Sequence, residues 1–337
     1  MKKIIIITDA WSKNISGVVS SIYYIKKGLK KKGFKVFIIH PRLFKSVPLP
    51  TYAEIRAAIF PKRKMEKMIK QINPDYIHIA TEGPLGYYGL KICVKNKWKF
   101  TTSYHTRLPE YIAIRLNPLP VKKLAYSYMR WFHSKSEKVM VTTPSLKEEL
   151  EKRKFKNIVS FPLGINLKLF KKNPKAKIPE GLKKPIFTFL GRLAPEKNIK
   201  AFLKCKLPGS KLIIGDGPQK EELFEKFKDK AMFVGFKKWQ DIVNLLSISD
   251  VFVFPSKTDT FGLVIIEALA CELPIAAYNV QGPKDIIANG VNGYIGPDLE
   301  ANAKKCLKLN KKKCRESSMK YSWENYASNF IKNIVHI

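Results

Sequence analysis

Short, almost unbroken apolar runs alternate along this chain with longer stretches in which apolar residues return every three or four positions. The runs KIIIITDA (3–10), KVFIIHP (35–41), DYIHIATEG (75–83), KFTTSYHT (99–106), KVMVTTPS (138–145) and NIVSFPLG (157–164) predict buried parallel strands. Helices predicted at 17–32 and 61–72 fall between several of them, the rhythm of a doubly wound α/β domain. Residues 165–185 are polar, rich in Lys and broken by three prolines, and read as a connection. The rhythm then restarts, with strands predicted at 186–193, 211–218, 231–236, 250–256 and 273–280 and helices at 219–228, 239–248 and 262–271. At the end of the chain Trp323, Tyr326, Phe330 and Ile334 recur at helical intervals and predict a packed helix. The expected organisation is an N-terminal Rossmann-like domain over 1–164, a linker over 165–185, a second Rossmann-like domain over 186–315, and a helix within 316–337 that returns to the first domain. Two such α/β domains facing each other would bind ligands beyond the carboxyl ends of their strands, across a cleft.

Composition narrows this picture. The 337 residues suit two domains, and 45% apolar residues supply two cores. No apolar run approaches the roughly 20 residues that cross a bilayer. Asp9 interrupts the basic, apolar start too early for a signal peptide, so a cytoplasmic location is expected. Five cysteines, an odd number without a Cys-x-x-Cys pair, read as reduced thiols, and no His/Cys cluster has metal-ligand spacing. The net charge is +36, of which the part up to Pro162 carries +23, so the first domain is the more basic. An AT-rich genome that favours Lys and an anionic membrane surface both account for such a charge. Nucleic acid is disfavoured, because only nine of the 63 basic residues are Arg and no nucleic-acid motif is present.

The candidate chemistry lies at predicted strand ends. In GRLAPEKN (191–198), Gly191 turns the chain, and Arg192 and Lys197 present a guanidinium and an ammonium suited to a diphosphate. GDGP, with Gly215, forms a tight turn between strand and helix. In SKTDTFGLVIIEALACELP (256–274), the amides of Phe261, Gly262 and Leu263 open a helix and offer an anion site. Asp259 stands at its mouth as an acceptor for hydroxyl groups. Glu267 lies among apolar residues, where a carboxylate without a partner is costly, so it calls for a ligand or a protein partner. In the first domain Gly17 opens a helix that can approach the same phosphates, and His105, Glu82 and Arg107 sit at or near strand ends.

Together these motifs resemble the family 4 retaining glycosyltransferases of GT-B fold. PLGINLKLF (162–170) is similar to that family's hinge motif, and YSWENYA to its closing Trp motif. IHIATEGPLG and TTSYHTRLPEYIAIRL resemble the branch that glycosylates diacylglycerol in membrane lipid remodelling. The resemblance implies that Arg192 and Lys197 bind the donor diphosphate, Gly17 lies against it, and Gly215, Phe261, Gly262 and Leu263 belong to the donor site. It implies that Glu267 holds the ribose, that Asp259 holds the transferred sugar in place of the family's usual Glu, and that His105 lies by the reacting centre. Glu82 and Arg107, with His105, are the acceptor-side candidates. Asn166 replaces the hinge Asp, and Glu272 replaces a Gly.

No Asp-x-Asp occurs, so a metal bridging the diphosphate is not expected; the co-substrate is a nucleotide sugar, with UDP implied by the resemblance. The basic, aromatic stretches 56–70 and 111–135 fit a lipid interface, or else ordinary amphipathic core helices. The reading is therefore a retaining, metal-independent hexosyltransferase, peripheral on the inner face of the membrane, with a lipid acceptor. A transferase acting on lipopolysaccharide or polysaccharide is one alternative, and a non-catalytic nucleotide- or lipid-binding protein a second. A dinucleotide oxidoreductase fails for want of Gly-x-Gly-x-x-Gly.

Overall fold

The computed structural model describes residues 1–11, 17–49, 52–110 and 119–337. Residues 111–118, which belong to a stretch singled out above, lie outside the described residues. The chain forms two compact units, one of residues 1–164 with 323–337, the other of residues 165–322.

In the first unit the strands are β1 (Lys3–Ile7), β2 (Lys35–Ile39), β3 (Ser46–Leu49), β4 (Tyr52–Ala58), β5 (Tyr76–Ile79), β6 (Thr101–Tyr104), β7 (Lys138–Val141) and β8 (Ile158–Ser160). Six of them make a parallel sheet in the order β2-β1-β5-β6-β7-β8, while β3 and β4 form a separate antiparallel pair. Ile4 to Ile7 are fully buried because both sheet faces are covered, which is why the run is continuously apolar rather than alternating. Ile5, Ile7, Ile77 and Ile79 share a core with Met65 and Ile69 of the helix Lys62–Ile72, with Leu90 and Cys93 of Pro84–Lys95, and with Phe132 of Leu119–His133. On the opposite face His78 meets the ring of Phe330, 4.9 Å between centroids. Phe330 lies on the helix Trp323–Asn333, which crosses the helix Gly17–Lys31 so closely that a Cβ on Gly28 would stand 2.2 Å from the Ala327 Cβ. Tyr326 stacks on Phe161 and exchanges a hydrogen bond with Ser21.

The second unit holds β9 (Ile186–Leu190), β10 (Ser210–Ile214), β11 (Met232–Gly235), β12 (Val251–Phe254), β13 (Ile275–Ala277) and β14 (Gly293–Ile295), all parallel, in the order β11-β10-β9-β12-β13-β14. Residues 165–172 belong to this unit. Asn166 Oδ1 accepts from the Lys168 and Leu169 amides, as an Asp would, and Phe170 is fully buried. In each sheet the chain runs outward from a central strand and then returns to its other side. The order therefore reverses between β1 and β5 and between β9 and β12, where doubly wound sheets hold ligands at the strands' carboxyl ends.

The predicted strands all form, but they stop one to four residues short of the predicted ends, because the residues that follow turn into loops. The stretch 56–70 is divided: β4 ends at Ala58 and a helix starts at Lys62.

Candidate functional site

The loops that follow β9 and β12 are stitched together by side chains that donate to backbone carbonyls. The Asn198 side chain donates to the Pro255 carbonyl (3.1 Å), and the hydroxyls of Ser256 (3.1 Å) and Thr258 (3.3 Å) donate to the Glu196 carbonyl. Asn198 adopts a left-handed conformation (φ 52°) that closes the short helical turn Pro195–Lys197. This stitching delivers the Lys197 ammonium to Asp259 Oδ1 at 2.6 Å, in a partly buried ion pair. The other carboxylate oxygen, Oδ2, is buried with no hydrogen-bond partner among the described residues. An anionic acceptor in that state is costly, so the site retains unmet hydrogen-bonding capacity beside a cation. Arg192 lies two residues past the end of β9 and is half-buried. The turn after β10 is held against it: Leu193 donates to the Asp216 carbonyl (2.9 Å), and a Cβ on Gly215 would fall 1.9 Å from the Gly191 carbonyl oxygen. Only glycine permits that approach.

Beyond Asp259 the helix Leu263–Ala270 begins at Gly262, which is left-handed (φ 88°). Its N-cap residue is a glycine and supplies no side-chain hydrogen bond, and its first turn carries no acid. Its amides therefore present partial positive charge. Phe261 is 2% exposed and packs edge-on against Tyr321, so it offers the site its backbone rather than its ring. Gly282, also left-handed (φ 84°), lies under this loop, where a Cβ would stand 2.9 Å from the Phe261 carbonyl oxygen. Glu267, farther along the helix, has no hydrogen-bond or ion-pair partner among the described residues, and burial pushes its carboxyl up to about 7. The helix's far end is fixed by Arg315, whose guanidinium donates to the carbonyls of Ala270 (2.7 Å), Leu167 (3.0 Å) and Phe170. Glu272, just past that end, is left-handed (φ 66°) and pairs with Lys172 at 3.2 Å.

The first-unit candidates are placed differently. His105 is the residue after β6; burial lowers its imidazole to about 4, so it is neutral at physiological pH. Glu82 receives His133 Nε2 at 3.2 Å, and His133 Nδ1 is 2.9 Å from Thr102 Oγ1, within a buried network. Arg107 is forked onto both oxygens of Glu149 (3.0 and 3.0 Å) and reaches Glu110 at 3.4 Å. The structure thus gives Glu82 and Arg107 partners inside the domain. Gly17 is exposed and starts its helix, with no acid in the first turn.

Arg192, Lys197, Gly215, Asp259, Gly262 and Glu267 thus belong to loops and a helix at one switch point. Sequence reasoning missed Gly282 and Arg315 as parts of this architecture, and Asp9 as the cap of a first-unit helix. A Gly-Pro pair at 282–283 was a usable sign of a turn. Arg315 had no local sign, since its carbonyl partners lie 45 to 148 residues away. Asp9, which ended the first apolar run, accepts from the amides of Leu85 (2.8 Å) and Gly86 (3.3 Å) and from the Thr81 hydroxyl (2.9 Å).

Residues 170–329 match the family described as glycosyl transferases group 1, and residues 15–169 the family described as glycosyltransferase family 4. The chain is similar to the alpha-monoglucosyldiacylglycerol synthase of Acholeplasma laidlawii, with 29% identity over 86% of this chain and 83% of that one. It is also similar to a GDP-mannose-dependent alpha-mannosyltransferase of Mycobacterium tuberculosis, with 24% identity over 88% and 84% of the two chains. Among solved structures, a sucrose-phosphate synthase from Thermosynechococcus elongatus superposes with a TM-score of 0.80 over 98% of both chains at 20% identity, a likeness of fold.

Proposed function

We propose that this chain, which belongs to the family 4 glycosyltransferases and has their GT-B fold of two Rossmann-like halves, moves a hexose or hexuronic acid from a UDP-sugar to 1,2-diacylglycerol. The observation that carries the reading is the Lys197–Asp259 pair beside a helix that opens at a glycine and also bears Glu267. In that order the site offers hydroxyl acceptors, a cationic and amide-lined centre, and a second hydroxyl acceptor. A sugar, a diphosphate and a ribose follow the same order.

Arg192 and Lys197, with the amides from Phe261 to Leu263, take up the charge that builds on the leaving diphosphate. Asp259 accepts from hydroxyls of the transferred sugar, relieving its unpaired Oδ2, and Glu267 accepts from the ribose. The acceptor hydroxyl oxygen bonds to the anomeric carbon on the face the diphosphate leaves. The carbon–phosphate-oxygen bond breaks, and the acceptor's proton passes to the departing phosphate oxygen, so configuration is retained. The protein's own cations stabilise the leaving group, so turnover should persist in a chelator.

No helix among the described residues is long and apolar enough to cross a membrane, so a lipid acceptor is met from the surface, as a peripheral enzyme would meet it. The GDP-mannose-dependent relative favours a second reading in which the donor is GDP-mannose. One assay separates them. Purified protein is offered UDP-glucose, UDP-galactose, UDP-glucuronate and GDP-mannose with diacylglycerol in mixed micelles, and the lipids are read by mass spectrometry and anomeric NMR. An α-glycosyl diacylglycerol from a UDP-sugar is expected. Product from GDP-mannose alone transfers the proposal to the second reading, and no glycolipid from any donor overturns both.

A further inference from the structure

Two carboxylates stand at the first unit's switch point, and they are not equally spent. Asp9, two residues past β1, has both oxygens filled, Oδ1 by the Leu85 amide and Oδ2 by the Gly86 amide and the Thr81 hydroxyl. Glu82 lies three residues past β5, and His133 Nε2 stands 3.2 Å from its Oε1. An ionised carboxylate only accepts, so that nitrogen is the donor. The other oxygen, Oε2, has no hydrogen-bond or ion-pair partner among the described residues. The pair is buried, with the Glu82 side chain 8% exposed and that of His133 1%, yet Oε2 keeps contact with solvent.

The surroundings hold the pair still. His133 Nδ1 is 2.9 Å from Thr102 Oγ1, which lies 3.0 Å from Ser136 Oγ, and the Ser136 hydroxyl is 2.9 Å from the His133 carbonyl. Tyr128 donates its hydroxyl proton to the Glu82 carbonyl at 2.6 Å. The imidazole is thus fixed at both nitrogens, and Glu82 at backbone and side chain. All this order serves a carboxylate whose second oxygen bonds to nothing described in its own domain. A purely structural acid would fill both oxygens, as Asp9 does, because a buried acceptor left bare is costly. Nor does any Lys or Arg among the described residues pair with Glu82, although the domain is strongly basic. That charge repels a cationic ligand, which leaves a neutral donor, a hydroxyl group, for Oε2.

We infer that Glu82 Oε2 accepts the hydrogen bond of the lipid acceptor's free hydroxyl, and that His133 is the positioning residue that aims it. The inference rests on the diacylglycerol reading, since diacylglycerol has a single hydroxyl and that hydroxyl attacks. Glu82 aligns it in the bound acceptor. On transfer its oxygen bonds to the anomeric carbon and its proton still passes to the departing phosphate oxygen, so Glu82 keeps no proton.

Binding is measured on the full chain without donor, by NMR titration with 1,2-dioctanoyl-sn-glycerol and with 1,2-propanediol dioctanoate, which lacks only the hydroxyl. The glycerol diester should bind the native protein about tenfold more tightly. Glu82→Ala and His133→Leu should bring that ratio close to one, and His133→Gln, whose amide can donate to Oε1, should restore most of it. Affinity for UDP or GDP, whichever the native protein binds, should stay native in all three by calorimetry. Thr102→Val removes only the Nδ1 partner and should lower the ratio by about threefold, which serves if His133→Leu does not fold. A ratio of one in the native protein overturns the inference, as does a native ratio in folded His133→Leu or Thr102→Val. An equal loss of nucleotide affinity also overturns it, because it marks a pair that only supports the fold. A hydroxyl preference without glycolipid from any donor would fail the functional reading and leave this subsite standing. Glycolipid made by a protein that binds both diesters alike would do the reverse.

Discussion

The two sheets reverse their strand order in the same way, yet the helix ends beside the two switch points are treated oppositely. In the first unit the amides that open the helix Pro84–Lys95 are filled by the chain itself, through the Asp9 carboxylate on Leu85 and Gly86. A Cβ on Gly83 would run into that carboxylate at 2.6 Å. In the second unit the helix Leu263–Ala270 opens at a glycine with no side-chain cap, and the nearby acid, Asp259, is turned onto Lys197. A helix end already satisfied by an internal anion is architecture, whereas one left uncapped beside a cation is a place for someone else's anion. In the proposed reading the end of the helix Pro84–Lys95 serves stability and the end of the helix Leu263–Ala270 serves a ligand.

Breaking the open end should cost most. Arg192→Ala is expected to lower kcat/KM by about 10²–10³-fold with a thermal melt close to the native one, measured on the same preparation. A fully active variant would take the diphosphate away from this loop. Gly215→Ala drives a methyl into the Gly191 carbonyl, so the donor loops should separate, with a loss of about 1–3 kcal/mol in denaturant melts and weaker nucleotide binding by calorimetry. At the closed end, Asp9→Ala should destabilise by about 1–2 kcal/mol and leave the KM for the nucleotide sugar unchanged. A large rise in KM would mean that Asp9 serves the ligand after all. The smallest effect is in pH. Burial lifts the Glu267 carboxyl to about 7, so it is largely protonated at pH 6 and ionised at pH 8. The ionised form is the better acceptor for ribose hydroxyls, so donor affinity should rise across that interval by up to about tenfold per unit on the acid side. Glu267→Gln should flatten the profile. Folding stability runs the other way. A carboxyl whose folded value is raised favours the native state at low pH and loses that advantage as pH climbs from the ordinary Glu range through 7.

The parts legible in the sequence were those with local causes. Ile4–Ile7 read as a buried parallel strand because four β-branched residues in a row leave no polar face, and the helix Trp239–Ile248 was placed to the residue by its apolar spacing. The β3–β4 pair was missed: it carries Pro48 and no Asn-Gly or Asp-Gly turn, and its second strand runs almost directly into a helix. β14 has three residues, too few to show a period. In the site, residue types and loop positions could be read, but partners could not. Lys197 and Asp259, 62 residues apart, read as contacts to the diphosphate and to the transferred sugar, and only folding shows them as one charged pair. Glu82 read as an acceptor-side candidate at a strand end, because nothing in its surroundings announces His133, 51 residues away.

The helix Trp323–Asn333 belongs to the first unit although more than 150 residues of the second intervene. During synthesis the second unit can therefore complete its core while the first still lacks the rings of Tyr326 and Phe330. Until the ribosome delivers them, the cradle at Phe161, His78 and Gly28 lies open. The half of the enzyme made first is the half finished last, and a chaperone has its longest opportunity there.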